Sequence, residues 1–143
     1  MNEDTRHLLQ ECISGCKMAI TSMDQVIEMS PEQEIRQVID CYKEKHEEIE
    51  SRISKLLEEI ASSEKEPRKV AEIFSWFTTE MKLLMRNDDH QAAKLMMDGC
   101  NMGIQSVSEY YNKYTEASKE VKDIALELIH MEEEFVKELK KFL

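Results

Sequence analysis

Eleven residues, Ile13-Ser14-Gly15-Cys16-Lys17-Met18-Ala19-Ile20-Thr21-Ser22-Met23, return 84 positions later as Met97-Asp98-Gly99-Cys100-Asn101-Met102-Gly103-Ile104-Gln105-Ser106-Val107. Gly15/Gly99, Cys16/Cys100, Met18/Met102, Ile20/Ile104 and Ser22/Ser106 are identical pairs. The repeat sits in a chain of 143 residues with only 3 Gly and 2 Pro, rich in good helix formers. It implies two similar helical halves related by a pseudo-twofold and packed on one core.

Such a length suits one domain that buries its core without disulfides or a structural metal. A net charge of −11 argues against nucleic acid or an anionic membrane as partner, because both would be repelled. The sequence opens Met1-Asn2-Glu3-Asp4 without a basic stretch and apolar run, and no window approaches 18 apolar residues. Neither a secretion signal nor a membrane span is expected, and the reading is a cytoplasmic protein. Cys12, Cys16, Cys41 and Cys100 show no CxxC spacing and fall inside helical patterns, where reduced thiols behave as small hydrophobes.

Apolar spacing of three and four predicts a first helix over 4–29 and a second to about residue 61, divided at Ser30-Pro31. The second carries the cleanest stripe, Ile35, Ile39, Tyr42, His46, Ile49, Ile53, Leu56 and Ile60. A polar linker leads to a helix over 67–86, on which Trp76 and Leu83 lie off the main apolar face. Asn87-Asp88-Asp89 reads as a turn and cap. A fourth helix then runs to about Tyr114, and a fifth uses Val121, Ile124, Leu128, Met131, Phe135, Leu139 and Phe142. The expectation is all-α: hairpin 4–61, crossover helix 67–86 and hairpin 89–143. Together these make a four-helix bundle with one long crossover, in a single domain over 1–143.

The aromatic crossover from Ala71 to Leu84, the run Arg86-Asn87-Asp88-Asp89-His90 and the element Asp98-Gly99-Cys100-Asn101 carry a further signal. They resemble a ferritin-like family of uncharacterised bacterial four-helix proteins, which has a similar crossover, Asp-rich turn and acidic-Gly-acidic element. The resemblance implies a ferritin-like bundle. Di-iron members of that fold set a Glu on each of two helices and Glu-x-x-His on each of the other two.

The residues depart from that set. Cys16 and Cys100 occupy the centres of the first and fourth helices, and Lys43 stands three before His46. Glu127-Leu128-Ile129-His130 is an intact Glu-x-x-His, but its His lies about 150–180° from the buried face of the fifth helix. With no inward carboxylate on the first or fourth helix, iron oxidation is not expected and the metal site reads as degenerate. The alternative is a Cys3His set for zinc or another thiophilic metal, made by Cys12, Cys16, His46 and Cys100. Against it stands a plain core layer of thiols beside one hydrogen-bonded His.

The leading expectation is therefore a non-catalytic bundle without cofactor, an interaction or structural protein that forms a homodimer. Trp76, Leu83, Leu126 and Ile129 supply apolar surface beyond what one core needs. A metal-binding or redox protein is the second reading.

Overall fold

In the computed structural model, residues 2–29, 32–60 and 88–143 are described here. They form α1 (Glu3–Glu28), α2 (Gln33–Glu59), α3 (Asp89–Lys113) and α4 (Lys119–Leu139), closed by a 3-10 turn over Lys140–Phe142. No strand occurs among them. The last two helices are the fourth and fifth expected from the sequence, while the expected helix over 67–86, with Trp76 and Leu83, lies outside the described residues.

Side-chain caps set three of the four starts. Asn2 Oδ1 accepts from Thr5 N at 2.8 Å, Asp88 Oδ1 from His90 N at 2.9 Å, and Ser118 Oγ from Val121 N at 3.4 Å. Each satisfies an N–H that the first helical turn leaves without a partner.

Contacts at the two ends fix the helix directions. At one end Ser118 N donates to Thr5 Oγ1 at 2.8 Å and Glu116 N to Asp4 Oδ2 at 3.0 Å, tying the start of α1 to the α3–α4 turn. At the other, Glu32 N donates to Asp89 Oδ1 at 3.0 Å. Hence α1 and α4 run one way and α2 and α3 the other, and Ile60 and Asp88 lie at opposite ends of the bundle. Helix α1 packs on α2 and α3, α4 packs on α3 and α2, and α1 and α4 also touch each other.

The core is continuous across all four helices. Leu8, Leu9, Ile13, Ile35, Ile39 and Ile53 are fully buried, and Tyr42 stacks on Phe135 with ring centroids 4.6 Å apart. No helix among the described residues is long and apolar enough to cross a membrane.

Candidate functional site

The antiparallel α1–α3 seam sets the two copies of the repeat against each other. Residues 15, 18 and 22 share a helix stripe by their three-and-four spacing, as do 99, 102 and 106. Gly15, Met18 and Ser22 on one wall and Gly99, Met102 and Ser106 on the other line a cavity of about 430 Å³. Among the described residues, small side chains at matched positions leave room along this seam. Met23, Met96, Val107, Leu128 and Phe135 make the rest of the lining largely apolar.

Its floor is polar and comes from the other two helices. His46 on α2 is fully buried, and Nδ1 lies 2.6 Å from the carbonyl of Tyr42 one turn earlier. A carbonyl can only accept, so Nδ1 carries a proton. Nε2 meets Glu132 Oε1 from α4, and whichever atom holds it, one proton lies between them. Glu132, 5% exposed, also accepts from the Cys100 thiol. No buried side-chain nitrogen or oxygen among the described residues lacks a partner.

Glu132 is the residue the sequence reading missed. That reading noted the absence of inward carboxylates on the first and fourth helices; an inward carboxylate comes instead from the last helix. The signal was present, since Ala125, Leu128, Glu132, Phe135 and Leu139 form an unbroken three-and-four ladder. Within Glu132-Glu133-Glu134 it looked like one more solvated acid.

The four residues of the proposed metal set are all buried. His46 and Cys100 meet through Glu132, and Cys16 lies within the electrostatic reach of both Cys12 and Glu132. Yet no group of three or more His, Cys, Asp or Glu among the described residues converges as a metal shell. Both nitrogens of His46 are already engaged, so a metal would have to displace either Glu132 or the Tyr42 carbonyl. The quartet does not fit zinc as it is placed. Burial pushes the Cys12 thiol up to about 12. Cys16 is raised well above the ordinary range, first by burial and then by Cys12 and Glu132, and Cys100 by burial and Glu132.

The other sequence candidates lie outside. His130 has a side chain 74% exposed, as its helical phase requires, and Glu127 accepts from Arg52 Nη1 at 2.8 and 2.9 Å on the surface. Lys43 pairs with Asp24 at 2.6 Å. Compared with known proteins, the chain matches no family model, no curated protein and no solved structure.

Proposed function

We propose that this chain is a non-catalytic helical bundle that holds a small, mainly apolar ligand in the α1–α3 seam. The cavity of about 430 Å³ carries the proposal: its size falls within the roughly 300–1,000 Å³ of ordinary ligand pockets, and it joins an apolar lining to a few convergent polar groups. Reaction chemistry has little support there. The buried thiols stay protonated through neutral pH and are poor nucleophiles, and His46 has no free nitrogen to act as a base.

Naphthalene, an uncharged apolar probe, tests the reading. Calorimetry should show saturable binding of one molecule per chain with a negative heat-capacity change. Ser22→Leu, which places an apolar side chain in the cavity, should abolish it. Wild-type protein that takes up no naphthalene to the solubility limit would sink the reading.

The parallel α2 and α3, with Ile60 and Asp88 at opposite ends, support a ferritin-like bundle topology for the same molecule. Self-association is the second reading, favoured by Leu126, a large apolar side chain left 45% exposed on α4. Light scattering should then give a dimer mass that Leu126→Glu returns to monomer; a wild-type monomer at high micromolar concentration contradicts it.

A further inference from the structure

Resting on the ligand-pocket reading, we infer that the seam cavity selects an apolar ligand whose polar end donates hydrogen bonds or is positively charged, as in an alkylamine. It rejects the matching carboxylate. Three observations converge on this. No Lys or Arg lines the cavity among the described residues, whereas Glu11 and Glu132 do, and Glu132 Oε2, the oxygen not turned to His46, lies 3.8 Å from where a Cβ on Gly103 would stand. Ser22 Oγ donates its only proton to the Met18 carbonyl at 2.9 Å, so it can offer an incoming group lone pairs alone. His46, the one cationic candidate in the lining, is turned to Glu132 and Tyr42 and has no donor left for an anion.

An anion entering this space would shed its water without gaining a charged donor, which makes its transfer costly. An ammonium or hydroxyl group meets acceptors instead. The net charge of −11 acts in the same direction from a distance, but salt screens that contribution and leaves the local one.

The test titrates octylammonium, octan-1-ol and octanoate into the protein at pH 7, beside naphthalene, at 0.1 M and 0.5 M salt. Octylammonium should bind at least as tightly as octanol, and octanoate at least tenfold more weakly than octanol at both salt concentrations. Ser22→Ala should weaken octanol and octylammonium two- to fivefold while leaving naphthalene unchanged. Octanoate binding within twofold of octanol, or a preference that vanishes at 0.5 M salt, overturns the inference while naphthalene binding keeps the cavity itself intact. Loss of naphthalene binding as well would instead condemn the pocket reading.

Discussion

The two hairpins meet along two seams built on opposite plans. Between α2 and α4, specific side chains lock together: Tyr42 on Phe135, His46 on Glu132, Arg52 on Glu127. Between α1 and α3, the repeat offers Gly, Ser and Met, and these described residues line a cavity. Both seams have inward faces by the same three-and-four rule. Periodicity says which residues turn inward, but whether they interlock depends on size and chemistry. One seam gives the bundle its definite geometry, and the other gives it room.

The sharpest way to break this contrast is to cut the locked seam at its buried polar link. His46→Ala leaves Glu132 buried without its partner and should cost about 3–5 kcal/mol in urea unfolding. The double variant His46→Leu/Glu132→Leu should lose far less than the sum of the two single changes, because no polar group is then stranded. Additive losses would mean the two residues do not act as a pair.

A second measurement probes a buried thiol of the core, Cys12. The folded Cys12 pKa is raised to about 12 from an ordinary value of 9.0. Its contribution is therefore complete below pH 9, where both states hold the proton, and is lost between about pH 9 and 12 as the unfolded chain alone ionises. Over that window wild type should lose about 1.4 kcal/mol per pH unit more than Cys12→Val. Parallel pH profiles for the two proteins would show that the thiol is not desolvated.

The open seam should also tolerate added bulk. A Cβ at Gly103 would sit 3.7 Å from Glu132 Cδ, an ordinary contact. Gly103→Ala should thus stabilise the fold by about 0.5–1 kcal/mol through reduced unfolded-chain entropy. A loss of stability would indicate that the walls are closer than the cavity implies. The smallest effect belongs to the locked seam's outer end. Arg52 and Glu127 are 42% and 49% exposed, so a double-mutant cycle should return a coupling of about 0.2–1 kcal/mol that fades with salt.

Much of the architecture was legible in the residues. The apolar stripes placed the described helices within two or three residues of their observed ends, and the repeat foretold that Gly15 and Gly99 would be counterparts. The candidate site was less so. Burial of His46 followed from its place on the α2 stripe, but nothing local marks Glu132 off from Glu133, which is exposed one residue later. What distinguishes them is an imidazole 86 residues away, a contact that only the docked hairpins create. The cavity was hidden for a similar reason: a stripe of small residues permits either close helix approach or a void, and only the spacing of the whole bundle decides.

That docking contact has a consequence for alignment. His46 belongs to one hairpin and Glu132 to the other, each at mid-height, so they meet only when the hairpins are correctly staggered. Sliding one past the other by a single helical turn, about 5.4 Å, would preserve most apolar contacts but strand both groups in hydrocarbon. The pair thus indexes the two halves like a pin in a ruled joint. An apolar double variant, freed of that pin, is where staggered bundles would surface as doubled amide resonances.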